Sequence, residues 1–528
     1  MNNLILSRIN NIQSYDNLSS ISDLSISLNT DTFDFINVPG DISYTQAYEV
    51  EKSSTAETYT LYFTELPIIQ LDIPDNIPVN DKVPGIFTYA DDHQVLISDF
   101  GIELRGATSL FFPKLSYDME FWEDPTGDDN KDVQFGNMRD DDDWILDALY
   151  NEPLRMRSFL ANKLWLDLHT PHYIADEPEA KAGSDVMFVE VFLRGQYNGV
   201  YNLQEQVDRK QLEIKDFNGN MRGELFKAEI TNNATTYTDL PPIDNTVRTW
   251  SGYEKKHPDE DELTEWSNLY DFTNFVMNSS PTDFENDIWN QFNQDNFNDY
   301  FIFVNLLRGT DNTGKNVYMA RYDVGEPYFW APWDLDGTFG LKWDGTYENI
   351  TDDILTNGFF TRVTNENPGN ATIAAANRWN FLRNNILDSV ELTNSMTNLY
   401  NEFTAKKIYE REALIYPNYQ FDQQALDYVI NWTNARLIFL DDYFNQVLSS
   451  SSQLRTVNEI IAYPNPVKNI LLINDAKNLL GEDFQIYNKM GQQVLDGSVS
   501  TNGIDFSNLN SGNYILKIDN YTTQIIKQ

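Results

Sequence analysis

The sequence predicts an α+β chain built in series: a β-rich extension over residues 1–60, a mixed domain over 61–450, and a small β-sandwich over 459–528. Three observations carry this. Alternating apolar runs fill much of the first half, and helical spacing governs 262–307 and 371–450. A serine run at 449–452 then precedes short strands with Gly and Asn turns. At 528 residues the chain exceeds what one hydrophobic core serves, and 41% hydrophobic content suffices to bury more than one.

Residues 1–60 are rich in Ser, Asn, Asp and Thr, with short alternating patches such as 33–38, and read as weak edge strands or a loose extension. Strand signals strengthen over 59–64, 66–73, 95–98 and 102–105. Residues 144–168 take helical spacing, with Leu146, Leu149, Leu160, Leu164 and Leu168 along one side. The acidic run Asp140-Asp-Asp-Asp143 reads as a cap for that helix, where negative charge offsets the helix dipole, rather than as a calcium site. Residues 187–203 alternate around a turn at Gly195 to Gly199 and predict a hairpin. Residues 451–458 read as the linker between the central domain and the tail. Residues 459–528 carry five Lys against seven Asp and Glu, nearly balanced beside an otherwise strongly acidic chain.

The net charge of −44 disfavours nucleic acid and anionic membranes, and favours divalent cations or basic partners. No cysteine is present, which removes disulfides, thiolate nucleophiles and zinc–thiolate sites. No apolar run reaches the roughly 18 residues that span a bilayer. Residues 1–8 lack the basic and apolar segments of a secretory signal.

The chemistry concentrates in Asp311-Asn-Thr-Gly-Lys-Asn316 and Trp333-Asp334-Leu-Asp336-Gly337, separated by two short strand-like runs. An Asp five residues before an Asn, then a strand pair, then Asp beside Gly, is the order of parts used in phosphoryl transfer. Asp311 would accept a hydroxyl proton, while Asn316, Asp334 and Asp336 offer oxygen ligands to Mg²⁺ or Mn²⁺. Taken one at a time, each could equally be an Asx-turn or a solvated acidic loop. Upstream, Arg105-Gly106 and Lys114 supply a Gly turn followed by a cation, with Glu152 a candidate ion-pair partner for Lys114. Glu205 closes the predicted hairpin where two lobes would meet, and Lys227 is a second candidate cation. His169 and His172 have the spacing of a metal pair but lack a recognisable third ligand.

These pieces resemble the CotH family of atypical, spore-coat-type protein kinases. The matching segments are Arg105-Gly-x-x-Ser109, Pro113-Lys114-x-Ser-Tyr117, Leu154-Arg-Met-Arg157, Gly199-Val-Tyr-Asn-Leu-Gln-Glu205-Gln206, Asp311 to Tyr318, and Pro332-Trp-Asp334-Leu-Asp336-Gly337. The resemblance covers about 62–445. It implies a divergent two-lobed protein-kinase-like fold, with an N-lobe of about 61–228 and a C-lobe of about 229–450, and ATP-dependent phosphorylation of Ser or Thr in proteins. By position it implies Asp311 as catalytic Asp, Asp334 and Asn316 as metal ligands, and Lys114 on the phosphates. The chain departs at Ala107, where members often have Asn, and at Leu115, where a second Lys is usual. The tail, from Tyr463-Pro-Asn-Pro466 to Lys527 with Ile486-Tyr-Asn-Lys-Met-Gly491, resembles the type A sorting domain of the type IX secretion system of Bacteroidetes. That implies secretion or cell-surface display and the secretion machinery as a partner. Two other readings stay open: a catalytically inactive kinase-fold surface binding or adhesion protein, and a hydrolase using Asp334 with Asp336.

Overall fold

Residues 1–60, expected as weak edge strands or a loose extension, contribute to a sheet over 4–64 with its own core. In the computed structural model, which describes residues 3–9, 12–259, 263–455, 462–473, 479, 481–489, 491–518 and 521–528, this sheet joins β1 (Leu4–Arg8), β2 (Ser25–Leu28), β3 (Asp31–Phe35), β4 (Ala47–Lys52) and β5 (Thr58–Thr64). Their order is β1-β5-β4-β3-β2. Phe33, Phe35, Tyr48, Val50, Leu61 and Phe63 alternate along the strands and close the core. The polar residues that obscured it occupy the opposite face, as a period of two allows.

The next segment supplies β6 (Ile68–Asp72), β7 (Val83–Ala90), β8 (Val95–Arg105), β9 (Ser116–Trp122) and a two-stranded ribbon of β10 (Val133–Gln134) and β11 (Asp140–Asp141). It continues with β12 (Asp143–Asp147), β13 (Val186–Leu193) and β14 (Gln196–Glu205). Seven of these strands close a barrel in the order β12-β14-β13-β6-β7-β8-β9. Phe87, Phe100, Phe121, Phe135 and Trp144 fill it, with the rings of Phe87 and Phe121 meeting edge to face at 4.8 Å. The β13–β14 hairpin agrees with the sequence reading, but its turn is confined to Arg194 and Gly195, both at positive φ, and Gly199 lies within β14.

The helix expected over 144–168 is two elements. Trp144, Ile145 and Leu146 are consecutively buried, a pattern for a strand covered on both faces, and they form β12. After a loop that contains Pro153, the helix α1 runs only over Arg157–Leu168. Asp140–Asp143 therefore do not cap it. Asp141 and Asp142 instead pair with Lys210, at 3.1 and 2.5 Å.

A second sheet, ordered β16-β17-β15-β18-β19, follows: β15 (Glu224–Ala228), β16 (Thr249–Trp250), β17 (Tyr253–His257), β18 (Val317–Arg321) and β19 (Tyr328–Pro332). Helices α2 (Ser267–Asn278), α3 (Pro281–Gln291) and α4 (Gln294–Leu307) lie between its strands in sequence. Ser280 caps α3, with Pro281 at the first helical position, and Asn293 caps α4. Every residue of α4 from Asn296 onward is buried, the polar Asn296, Asp299 and Asn305 among them. The helical reading of 371–450 also agrees: α5 (Gly358–Glu366) is followed by α6 (Ala371–Arg383), α7 (Ser389–Ala405), α8 (Ile408–Ile415) and α9 (Gln423–Arg455).

The serine run expected as a linker is part of α9. Serine costs a helix only about 0.5 kcal/mol per residue relative to alanine, too little to end one. Residues 456–458 of that linker, Glu262, Met1, Asn2 and Met490 lie outside the described residues. By internal packing the chain divides into units 1–444 and 445–528. The second contains β20 (Ala462–Tyr463), β21 (Ile470–Ile473), β22 (Asp483–Asn488), β23 (Gln493–Ser498), β24 (Ile504–Asp505), β25 (Gly512–Ile518) and β26 (Tyr521–Lys527). Its two sheets share a core of Leu471, Ile486, Phe506, Leu516 and Ile525.

Candidate active site

The hairpin of β18 and β19 pairs Val317 with Pro332, so the residues just outside it, Asn316 and Trp333, stand side by side at its base. The Trp333 N–H donates to the Asn316 carbonyl at 3.0 Å. Asn312 Nδ2 reinforces this by donating to the carbonyls of both Asn316 and Trp333, each at 2.8 Å. Tyr300 of α4 donates its hydroxyl to the Asn312 carbonyl at 2.8 Å and anchors the loop from behind. Asp311, one residue before this staple, ion-pairs with Lys315 at 2.8 Å. Asn316 and Asp334 both hold left-handed backbone, at φ 55 and 53. That conformation is unfavourable outside glycine and aims both side chains off the strand direction.

Asp311, Asn316, Asp334 and Asp336 line a single cavity of about 300 Å³. Its opposite wall comes from the barrel, through Arg105 at the end of β8, Gly106 and Lys114 between β8 and β9, and Asp147 at the end of β12. Gly106 has φ 102, and a Cβ there would lie 1.9 Å from Ser109 Oγ, so only glycine fits the turn. Asn151 Nδ2 donates to Asp336 at 2.7 Å and ties the loop after β12 to the acidic segment.

Lys114 stands two residues ahead of β9, and Glu152 is not its partner. Its ammonium is fully buried, ion-pairs with Glu412 of α8 at 2.8 Å, donates to the Val200 carbonyl, and sits 4.4 Å from the Tyr201 ring centre. The second Glu412 oxygen takes Arg155 at 3.0 Å. Burial pushes the Lys114 pKa down to about 8, against the opposing pull of Glu412. Burial would raise the Glu412 carboxyl, but Lys114 and Arg155 outweigh it and hold the group below its ordinary value. Glu152 instead accepts from the Leu154 N–H at 2.8 Å and pairs with Arg157 at the start of α1.

Glu205 is absent from the cavity lining, which its neighbour Gln204 joins, because successive residues of a strand face opposite ways. Its buried carboxylate accepts from Gln211 at 2.8 Å and from the Asp185 N–H at 3.0 Å, and pairs with Lys181. Lys227 also stays off the lining. It pairs with Glu229 and lies 5.8 Å from the Trp333 ring centre, on whose face Arg105 also rests at 5.2 Å. His169 Nδ1 lies 2.8 Å from Asp299, and its Nε2 faces Asn296 at 3.0 Å, which makes it a packed buried group.

Asp147 and Glu412 are the members that sequence reasoning missed. Asp147 closes the apolar strand Asp143-Trp-Ile-Leu-Asp147, a signal visible only once that run is read as a strand. Glu412 lies within an ordinary helical segment and carries no local signal.

Asp334 is exposed on the cavity, and the protein packed around it raises its pKa, with Arg105 opposing the shift and Asp147 adding repulsion. Burial likewise raises Asp336, followed by repulsion from Asp334 and Asp147. Among the described residues, no hydrogen bond or ion pair holds the Asp334 carboxylate. The cavity lining offers carboxylates and an Asn amide and neither Cys nor His, and oxygen donors are the kind that Mg²⁺ and Mn²⁺ take.

The comparison with protein families is consistent with this arrangement. The chain belongs to the CotH kinase protein family, whose model matches residues 102–440. Residues 461–528 match a secretion system C-terminal sorting domain, which indicates secretion or display at the surface. No curated protein matches the chain. Among the described residues, no helix is long and apolar enough to cross a membrane.

Proposed function

We propose that this chain is an exported, divalent-metal-dependent protein kinase of two-lobed architecture, transferring the γ-phosphoryl group of ATP to Ser or Thr of a protein. The observation that carries the reading is the convergence of Asp311, Asn316, Asp334 and Lys114 on one cavity. Asp311 accepts the proton of the acceptor hydroxyl as the new O–P bond forms and ADP departs. Asn316 and Asp334, with Asp336, would hold the metal, which when bound would screen the phosphate charge. Lys114, kept in place by Glu412, and Arg105 supply positive charge from the barrel wall. Lys315 shares the Asp311 carboxylate and reaches the same space. The type IX secretion machinery is the partner that the tail implies.

The test is transfer of labelled γ-phosphate from ATP with Mn²⁺ or Mg²⁺ by the purified chain. Asp311→Ala is expected to lower transfer by about 10²- to 10⁴-fold while the chain stays folded. Full activity in that variant removes the assignment. Ala107 and Leu115, where the family pattern is broken on the nucleotide side, favour a second reading, a surface binding protein without catalysis. Failure of the wild type to bind Mn·ATP or Mg·ATP selects it.

A further inference from the structure

We infer that the N-terminal sheet braces α8 and so holds Glu412 against Lys114, which makes Tyr62, Arg411 and Glu190 positioning residues for the nucleotide cavity. The inference rests on the kinase reading, and the sheet lies outside the family's matched span. α8 has only eight residues, and a helix that short has no stability of its own. Its orientation therefore comes from what it docks on.

Three consecutive ionisable side chains of α8 reach three parts of the fold. Glu410 accepts a hydrogen bond from the Tyr62 hydroxyl of β5 at 2.9 Å. Arg411 ion-pairs with Glu190 of β13, both fully buried, and its guanidinium lies 5.5 Å from the Tyr62 ring centre. Glu412 accepts from the Val200 N–H at 2.7 Å and pairs with Lys114. Glu190 is held from the other side by the Tyr197 hydroxyl and by Thr64 Oγ1 of β5, the latter at 3.4 Å. Leu6, Tyr62 and Tyr197 form an apolar cluster against which Ile415 packs. Lys406, just before α8, pairs with Glu65, just after β5. Both ends of α8 are thus tied to the sheet, and the residue between those ties is the one that sets the buried lysine.

The experiment uses the full chain with Tyr62→Phe, which loses only the hydroxyl, and Tyr62→Leu, which also loses the ring beside Arg411. Hydrogen exchange at the Val200 amide reports the position of Glu412 without nucleotide, and titration with Mn·ATP reports the cavity. Both exchange rate and Kd are expected to rise by about 2- to 30-fold, more for Leu than for Phe, at a temperature where the variants stay folded. Unchanged exchange and Kd with a lowered Tm make the contact structural only and overturn the inference. A wild-type chain that does not bind Mn·ATP refutes the kinase reading instead, and Val200 exchange then decides the brace.

Discussion

Asp334 bears two costs that the fold itself does not require. Its backbone is left-handed at φ 53, and the protein packed around its carboxylate raises its pKa. Strain of this kind persists at sites that use it. Asp334→Asn is therefore expected to raise Tm in metal-free buffer while lowering phosphoryl transfer by about 10²- to 10³-fold. A variant with wild-type transfer in the same preparation would contradict it. Asp143 offers a separate test, away from the cavity. Burial pushes its carboxyl up to about 7; Lys82 opposes the shift, and Asp118, Asp142 and Glu120 add to it. The folded state thus binds this proton more tightly than the unfolded chain does. Its contribution is complete below the ordinary value of 3.8 and is lost as pH rises through about 7. Asp143→Asn is expected to raise Tm at pH 8 and to change it little at pH 4, as read by thermal unfolding; the same gain at both values would exclude the mechanism. At this scale the sequence was most legible where neighbours decide. Asp311, Asn316, Asp334 and Asp336 lie on one turn and one hairpin base, and all four reach the cavity. Glu205 illustrates the opposite case, since a one-residue difference in facing puts Gln204 on the cavity in its place.

Whole elements were readable where the period was clean. The β13–β14 hairpin alternates and turns at glycine, and α4 has its cap and its apolar body in one window. β12 was not readable as a strand, because a run buried on both faces has no period and merges with the helix that follows. α8 is the element whose meaning is least visible in sequence, since its role depends on contacts with β5, β13 and β14. Gly199 tests that packing directly. Its φ is 98, and a Cβ there would stand 2.1 Å from Glu412 Oε1 and 3.1 Å from Lys114 Nζ. Gly199→Ala is expected to destabilise the chain by about 2 kcal/mol or more and to weaken Mn·ATP binding. Denaturant melts and nucleotide titration measure the two effects, and a variant with wild-type stability would show that Glu412 can yield.

The whole molecule separates into two units with independent cores, and the charge follows the same division, with nearly all of the −44 outside the tail. A chain ending at Arg455 is expected to retain the Tm and Mn·ATP affinity of the full chain and to lose export. Loss of folding on that truncation, read by circular dichroism, would show that the tail contributes to the first unit. What the sequence alone determined was local: the acidic turn, the glycine turns, the hairpin, most helices and the sorting tail, because turn chemistry and periodicity belong to residues a few positions apart. What the tertiary structure decided was pairing over distance. Lys114 finds Glu412 across 298 positions, and Asp147 joins the acidic cluster from the barrel. Residues 4–64 became a sheet packed against α8 by the same means. Burial and long-range charge pairing are set by where the chain returns to itself, and no window of neighbouring residues contains that information.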